Sequence, residues 1–293
     1  MEKRIGWILG AIVISVQCIL LYNYFAKYIK EKFKDKDVMY ASDDHMLNIV
    51  NISPFFKKMT EYDLIARNTY SISSYKEQYY DSLEKFSKEE KAVLETLTTE
   101  IDTIPTANLK KIPWKFAKVS QHIENGYPHT LEDTIILTSS FFNRSKDYIK
   151  TTLIHEKIHV YQRVYNDHIK RLISDLGFKQ LANDEYLNIL PKNIQELKRN
   201  NPDVTGTYVY NYLIPIQLYT SKTPSNLADS SLYLYDIRNR KLLKDNQYLP
   251  SYISQSEHPF EVTAVIIPIV LQNKAKKDDF FYNVTKKWCA RYL

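Results

Sequence analysis

The sequence predicts an α+β protein: a mostly helical domain with a small sheet, preceded by one N-terminal transmembrane helix. Three observations lead to this fold class. A long run without charge occupies residues 5–26. Further along the chain, several stretches with capping residues place apolar side chains at helical spacing. One short run rich in β-branched residues, 134–138, follows a turn and is typical of a strand.

The N-terminal run, residues 5–26, is predicted to anchor the chain in a membrane. Its twenty-two residues contain no charge. As a helix they would extend ~33 Å, which is enough to cross a hydrocarbon core of ~30 Å. A cleaved signal peptide is the alternative, but its apolar region is normally only ~7–15 residues long. The chain is therefore divided into an anchor at 1–26, a charged stalk at 27–50 and one domain at 51–293.

Charge indicates on which side of the membrane the domain lies. Two basic residues precede the span and five lysines follow it within residues 27–36. Basic residues stay on the cytoplasmic side, so this count favours a single-pass membrane protein with a cytoplasmic domain. The only cysteines, Cys18 and Cys289, agree with a reducing compartment. Three N-x-S/T sequons favour the lumenal or extracellular side instead: Asn51, Asn143 and Asn283.

Composition argues against two classes of function. The chain has 5 glycines and neither a G-x-x-x-x-G-K nor a G-x-G-x-x-G pattern, so we expect no nucleotide site. The formal charge is +6 at pH 7, but basic and acidic residues alternate along most of the chain. Such mixing is typical of a solvated surface, and we expect no binding to nucleic acid.

The first helices of the domain are predicted from their capping residues. Thr60 can cap a helix over 61–68. Ser87 and Glu90 form a capping box before the amphipathic stretch 91–101. Pro105 and Pro113 then end the helical pattern.

Later elements follow in the same way. Ser145 is predicted to start a helix over 146–169, directly after the strand at 134–138. The tyrosine-rich run 207–219 contains Pro215, which argues against a central strand. A last helix is predicted to start near Ser256 or His258, with Pro259 near its first position. Its apolar run, 262–270, is too short to cross a membrane and indicates a buried helix.

The stretch "HEKIH" at 155–159 places two histidines and a glutamate on the predicted helix. His155 and His159 lie about 40° apart around the helix axis and one turn along it, so both imidazoles can reach one ion. Glu156 points about 60° further round, close to that ion without having to bind it. Zinc accepts imidazole nitrogen and lowers the pKa of a bound water toward ~7. Glu156 could then take a proton from that water, which is the H-E-x-x-H chemistry.

A catalytic zinc site needs a third protein ligand and an open fourth position. The extended pattern, with Gly three and His or Asp six residues after the second histidine, is absent because Gln162 and Tyr165 occupy those positions. A carboxylate on another helix is therefore expected. Glu261 is preferred because it opens the last helix, with the small Ala264 one turn later. Three other acids remain open as the third ligand: Glu257, Asp184 and Glu185.

The motifs "HEKIHVYQ" and "HPFEVTA" together resemble the gluzincin branch of the zincin metallopeptidases, which carry H-E-x-x-H on one helix and E-x-x-A on a later one. The resemblance covers about fifteen residues. It implies a zincin-like domain in which His155, His159 and Glu261 bind zinc and Glu156 is the general base. It also implies that the strand at 134–138 lies along the cleft, where an extended peptide could pair with its edge.

A group that stabilises the developing oxyanion is also needed. Several side chains remain open for this role: Tyr208, Tyr210, Tyr212 and His258. The sequence thus predicts a membrane-anchored zinc metallopeptidase that hydrolyses a peptide or protein substrate. The alternatives are a non-catalytic, membrane-anchored interaction module that retains a zinc site, and a hydrolase that acts on a non-peptide bond.

Overall fold

Capping residues set the starts of the main helices. In the computed structural model, which describes residues 38–182, 188–244, 248–274 and 279–293, the predicted caps Thr60, Ser87 and Ser145 are confirmed. Each accepts a hydrogen bond from the backbone N–H three residues later, which satisfies an otherwise unpaired donor. The helices are α1 (Asp43–Ile52), α2 (Pro54–Lys57), α3 (Glu61–Ala66), α4 (Ile72–Asp81), α5 (Lys88–Asp102), α6 (Ala107–Lys110), α7 (Lys146–Val164), α8 (Asn166–Asp175), α9 (Lys192–Glu196), α10 (Pro259–Leu271) and α11 (Phe280–Tyr292).

The strands form two five-stranded sheets rather than the one small sheet predicted. The first has the order β1-β3-β5-β4, with β2 paired to β3, and the second has the order β10-β9-β8-β7-β6. In the first sheet β3 and β5 are parallel, whereas the pairs within the second sheet are antiparallel. The strands are β1 (Val38–Tyr40), β2 (Leu83–Glu84), β3 (Trp114–Val119), β4 (His129–Leu131), β5 (Thr134–Leu137), β6 (Phe178–Leu181), β7 (Thr207–Tyr210), β8 (Leu213–Tyr219), β9 (Ser230–Asp236) and β10 (Lys241–Lys244).

The strand at the end of the first sheet is β4 and not β5. The predicted strand at 134–138 is confirmed as β5, but it pairs with β3 on one side and with β4 on the other. A tight turn joins β4 to β5 between Leu131 and Thr134, with Glu132 at φ 52°. The expectation that the strand at 134–138 offers a free edge to a peptide is therefore wrong, because the hairpin places β4 on that edge.

The long predicted helix at 146–169 is divided in two. α7 ends at Val164, and α8 starts at Asn166. Tyr165 lies between them with φ −115° and ψ 49°, outside the helical region. The predicted apolar face of α7 is buried at Ile149, Leu153 and Val160, but Val164 is 59% exposed. α7 packs on α10, α5, β4 and β5.

Residues 38–50, which the sequence assigned to a stalk, belong to the fold. β1 lies in the first sheet, and α1 buries Met46, Ile49 and Val50. These side chains pack with Phe56 and Tyr79 in one hydrophobic core. Residues 39–293 form one unit by their contacts, so the domain starts earlier than the predicted boundary at 51.

The tyrosine-rich run 207–219 forms the β7–β8 hairpin, with Pro215 inside a central strand. The register joins β7 to β8 only at Tyr210 and Leu213. On the side of β8 away from β9, Gln217 C=O accepts from Arg199 N–H. Pro215, two residues earlier, faces the same side, beyond the point where β7 has left β8. No backbone N–H is needed there to pair with a neighbouring strand, which is why a proline is tolerated in β8.

Among the residues that the structure describes, no helix is long and apolar enough to cross a membrane. α10, which the sequence predicts to be apolar and buried, has 13 residues, or ~20 Å of helix against a hydrocarbon core of ~30 Å. We therefore correct the predicted fold class, which included a transmembrane helix, and the predicted localisation as a single-pass membrane protein. The predicted anchor, residues 5–26, lies outside the described residues. The described fold is α+β, with about 49% helix and two sheets.

Candidate metal centre

Two packed helices bring the predicted ligands together. His155, Glu156 and His159 lie on α7, and Glu261 lies in the first turn of α10. Pro259 is the first residue of α10, where its missing N–H is not needed. Ala264, one turn after Glu261, is fully buried and small, which lets α10 approach α7 closely.

Three ligand atoms converge at distances close to those between ligands of one zinc ion. His155 Nε2 lies 3.0 Å from His159 Nε2, and Glu261 Oε2 lies 3.2 Å and 3.4 Å from these two nitrogens. Two ligands ~2.0–2.1 Å from one zinc ion, at a tetrahedral angle, are ~3.3–3.4 Å apart. Glu261 Oε2 is buried and has no hydrogen-bond partner among the described residues. The donor set of two imidazoles and one carboxylate thus fits zinc.

Gln162 fixes the orientation of His159. Its Nε2 donates to Phe260 O at 2.8 Å and to Thr263 Oγ1 at 3.0 Å, so its Oε1 must be an acceptor. His159 Nδ1 lies 2.8 Å from that oxygen and therefore carries the proton. The lone pair of His159 Nε2 is left facing His155 and Glu261, as a metal ligand requires.

Asn201 fixes the orientation of Glu261 in the same way. Its Nδ2 donates to Glu261 Oε1 at 2.7 Å, and its Oδ1 accepts from Asp203 N–H at 2.8 Å. One carboxylate oxygen of Glu261 is thus held by Asn201 while the other faces the two histidines. Because His159 and His155 outweigh the effect of burial, the pKa of Glu261 lies well below its usual value.

Glu156 lies beside the ligand cluster without belonging to it. Thr130 Oγ1 donates to its Oε2 at 2.9 Å. Glu156 also forms a second group with His159 and Asp203, whose ligand atoms lie within 4.8 Å of one another. Burial raises the pKa of Glu156 to about 8, and the nearby Asp203 adds to this rise. Burial likewise raises the pKa of Asp203.

A cleft of about 630 Å³ opens onto His155, Glu156 and Glu261. Tyr127, Tyr148, Pro268 and Ile269 form part of its apolar lining. A polar part is formed by four side chains: Arg199, Gln217, Gln255 and Glu257. The cleft can therefore hold a substrate of mixed polarity against the ligand cluster.

The backbone of β4 along this cleft is already bonded. Thr130 N–H donates to Asp203 Oδ1 at 2.7 Å, and Arg163 Nη2 donates to Thr130 O at 3.1 Å. These are the groups of β4 that point away from β5, because alternate residues of a strand face opposite edges. Pro128 lies two residues before Thr130, faces the same edge and has no N–H. Side chains thus cover the free edge of the first sheet.

The residues proposed for the oxyanion lie away from the cleft lining. Tyr212 is at the tip of the β7–β8 hairpin, 48% exposed, with Arg238 over its ring. His258 caps α10: its Nδ1 accepts from Phe260 N–H, and its Nε2 lies 3.4 Å from Gly206 O. Both ring nitrogens are thereby used, and burial lowers the pKa of His258 to about 3. Tyr208 is buried against His258, and Tyr210 packs on Phe178 and Phe281.

Position in the structure distinguishes Glu261 from the alternative third ligands. Glu257 lines the cleft just before α10, but the cluster that could hold a metal ion contains Glu261 and not Glu257. Burial raises the pKa of Glu257 to about 7, Glu261 adds to this rise and Arg199 opposes it, so these three charges share one end of the cleft. Asp184 and Glu185 lie outside the described residues.

Comparisons with protein-family models, with curated proteins and with solved structures found no match for this chain. The resemblance to gluzincins therefore rests on the two short motifs on α7 and α10 and stays a prediction. What the structure adds is the mutual position of their side chains.

The H-E-x-x-H and E-x-x-A motifs do not include the residues that hold the ligands in place. Asn201 and Asp203 lie in a loop that follows α9, where the stretch "NPDVTG" at 201–206 is typical of a turn and indicates nothing more. In the sequence, Gln162 stands out only as a departure from an extended zinc motif. A buried amide three residues after a ligand histidine is a signal in the sequence, since both lie on one helix face. The role of the loop depends on contacts between segments that are far apart along the chain.

Proposed function

We propose that this chain is a zinc-dependent metallopeptidase, a hydrolase that cleaves peptide bonds in a peptide or protein substrate. The observation that carries the proposal is the convergence of His155, His159 and Glu261 at distances of 3.0–3.4 Å, beside an open cleft. Glu156 lies next to this cluster on the same helix, where a general base is needed.

The roles of the residues follow from their contacts. Zinc bound at this site would lower the pKa of water toward ~7 and polarise the carbonyl of the scissile bond. Thr130 holds Glu156 Oε2, while Glu156 Oε1 has no hydrogen-bond partner among the described residues. Glu156 can therefore take a proton from the attacking water and pass it to the leaving nitrogen as the C–N bond breaks. Gln162 and Asn201 keep His159 and Glu261 in the orientation that binds the metal.

A non-catalytic module with a retained zinc site is the alternative function. A structural zinc site is closed by four protein ligands, commonly including cysteine. Among the described residues, the group that contains both histidines has three members, and two of its residues line the cleft. These features favour a site at which a substrate can approach the metal.

The test compares three glutamate variants of the full-length protein for zinc content and for cleavage of a mixed peptide library. Glu156→Gln should retain about one zinc per chain and lose activity by ~10²–10⁴-fold, because an amide cannot accept the proton. Glu261→Ala should lose both zinc and activity, because two histidines alone bind zinc poorly. Glu257→Ala is the matched control from the same end of the cleft, and we expect it to retain zinc.

Each alternative has a distinct outcome. Loss of zinc in Glu257→Ala but not in Glu261→Ala would mean that the third ligand is assigned to the wrong glutamate. A parent protein that holds zinc tightly but cleaves no peptide would favour the non-catalytic module. Cleavage of esters but not of peptides by the parent would favour a hydrolase of non-peptide bonds.

A further inference from the structure

Arg199 is a cation in the cleft that forms no ion pair with any acid of the described residues. It lines the same cleft as His155, Glu156 and Glu261. Its Nε is buried and has no hydrogen-bond partner, and no ion pair within 4.0 Å joins it to an acid among the described residues. Elsewhere in the fold, the buried guanidinium of Arg67 is bonded to two carboxylates. A partly buried guanidinium without such a partner is a candidate binding group for an anion.

The position of Arg199 is fixed by its backbone. Its N–H donates to Gln217 O at 2.9 Å, which attaches the segment before Asn201 to β8. The neighbouring acid, Glu257, is within electrostatic range but forms no ion pair with Arg199. The guanidinium thus keeps donors for a ligand in the cleft, whereas Glu257 adds an opposing charge that only partly compensates it.

On β4, the strand beside the cleft, the backbone groups that could bind a substrate are already hydrogen-bonded. Asp203 and Arg163 occupy both outward backbone groups of Thr130, and Pro128 has no N–H to offer. An extended polypeptide therefore cannot pair with β4 through free backbone N–H and C=O groups, although addition to a sheet edge is a common way to bind peptides. The side chains of the cleft, Arg199 among them, are then the candidate groups for holding a substrate.

We infer that Arg199 binds a carboxylate of the substrate, so that the site acts on short peptides held through an anionic group rather than on extended chains held through β4. The carboxylate is either the free C-terminus or the side chain of an acidic residue. A planar guanidinium suits either, because it can donate two parallel hydrogen bonds to one carboxylate. This inference rests on the proposed peptidase function and names its class of substrate.

The test measures binding rather than turnover. Full-length Glu156→Gln protein, loaded with zinc, is titrated calorimetrically with three probes: acetyl-Ala-Ala-Phe-Ala as the free acid, the same peptide as the amide, and acetyl-Ala-Ala-Phe-Glu amide. The free acid should bind at least ~10-fold more tightly than the Ala amide, since a hydrogen bond to a charged group contributes that much. Tight binding of the Glu amide would show that Arg199 also binds the carboxylate of an acidic side chain.

Substitutions at Arg199 give the matched comparison. In the Glu156→Gln background, Arg199→Gln should abolish the preference for the carboxylate, and Arg199→Lys should keep part of it. Arg238→Gln is the control, because it removes one positive charge at the exposed hairpin tip, away from the cleft. Equal binding of all three probes, a carboxylate preference that survives Arg199→Gln, or no binding of any probe would overturn the inference.

The parent protein separates this inference from the proposed function. If it cleaves all three probes equally well, the peptidase proposal stands and the role of Arg199 falls. If the carboxylate preference is present and depends on Arg199 but no peptide is cleaved, the binding site stands and the peptidase proposal falls. If Arg199→Gln lowers kcat for both peptides without changing their relative binding, Arg199 acts on the reacting carbonyl instead, which also contradicts the inference.

Discussion

At the scale of single residues, the ligands of the candidate site depend on neighbours that bind no metal. Gln162 has three contacts, one with His159 and two with the first turns of α10. Asn201 has two, one with Glu261 and one with the backbone of Asp203. Each amide has its orientation set by a backbone group, so each can present only one kind of atom to its ligand. The geometry of the site is therefore determined in part by hydrogen bonds outside the H-E-x-x-H motif.

We predict that Gln162→Leu lowers zinc affinity by ~10–100-fold, the usual effect of losing the hydrogen-bond partner of a ligand histidine. The free energy of unfolding should also fall by ~1–3 kcal/mol, because the buried Nδ1–H of His159 loses its acceptor on Gln162. Competition with a chelator of known affinity measures the first effect, and urea denaturation measures the second.

Gln272→Leu is the control for that experiment. Gln272 also joins the α7 and α10 segments, through Thr151, but it lies away from the ligand cluster. We expect zinc affinity to remain unchanged in this variant. Equal losses of zinc affinity in both variants would show that Gln162 acts only through helix packing.

At the scale of elements, the helices of the site could be predicted from the sequence and their surroundings could not. Ser145 and Pro259 mark the starts of α7 and α10 because capping and first-turn preferences depend on local chemistry. The end of α7 at Val164 could not be predicted, because the apolar pattern continues into α8. Pro215 argues against a central strand in the sequence, but β8 tolerates it because β7 leaves the strand before that position, which is a tertiary property.

The loop at 199–206 could not be predicted for a related reason. Its sequence indicates a turn, but its role depends on contacts with α10, β4 and α7, which are remote along the chain. Likewise, the sequence indicates a strand at 134–138 but not which strand forms the edge of the sheet. Pairing order is set by the whole sheet, and one turn at Glu132 and Asp133 decides it here.

The close approach of α7 and α10 leads to a prediction about Ala264. Its side chain is fully buried at this helix pair. We expect Ala264→Leu to lower the free energy of unfolding by ~1–3 kcal/mol, because a larger side chain forces the helices apart. Glu261 should then move away from the two histidines, so zinc affinity should fall as well.

Val265→Leu is the matched control, because Val265 is the next residue of α10 and is only partly buried. Adding one carbon there should change neither stability nor zinc affinity measurably. Thermal unfolding with and without zinc compares the two variants. An Ala264→Leu protein with unchanged zinc affinity would contradict the argument that helix separation sets the position of Glu261.

At the scale of the whole molecule, Arg67 connects segments that the sequence separates widely. Its side chain is buried, and its Nε and Nη2 donate to Glu124 at 2.7 Å and 2.8 Å. Its Nη1 donates to Asp63 Oδ1 at 3.1 Å, and Nη2 also reaches Asn200 O at 3.2 Å. Arg67 thereby joins α3, the turn before β4 and the loop that carries Asn201. The position of the metal ligands thus depends on a buried ion cluster outside the site.

We predict that Arg67→Met destabilises the fold by ~3–5 kcal/mol at pH 7, because two carboxylates remain buried without their partner. The exposed pair of Lys192 and Glu196 supplies the control. Lys192→Met should leave stability unchanged within error, since an exposed ion pair contributes little. Urea denaturation at several pH values measures the free energy of unfolding of all three proteins.

The pH dependence separates a charge effect from a packing effect. Burial alone would raise the pKa of Glu124, but Arg67 outweighs burial and holds that pKa below its usual value of 4.5. In the parent, Glu124 therefore contributes stability above about pH 4.5, and this contribution is lost as the pH falls further. In Arg67→Met, burial without Arg67 raises the pKa of Glu124, so protonation on acidification relieves the unpaired charge. The difference in unfolding free energy between parent and variant should consequently shrink from pH 7 toward pH 4. A difference that stays constant over this range would mean that Arg67 supports the fold through the packing of its side chain rather than through its charge.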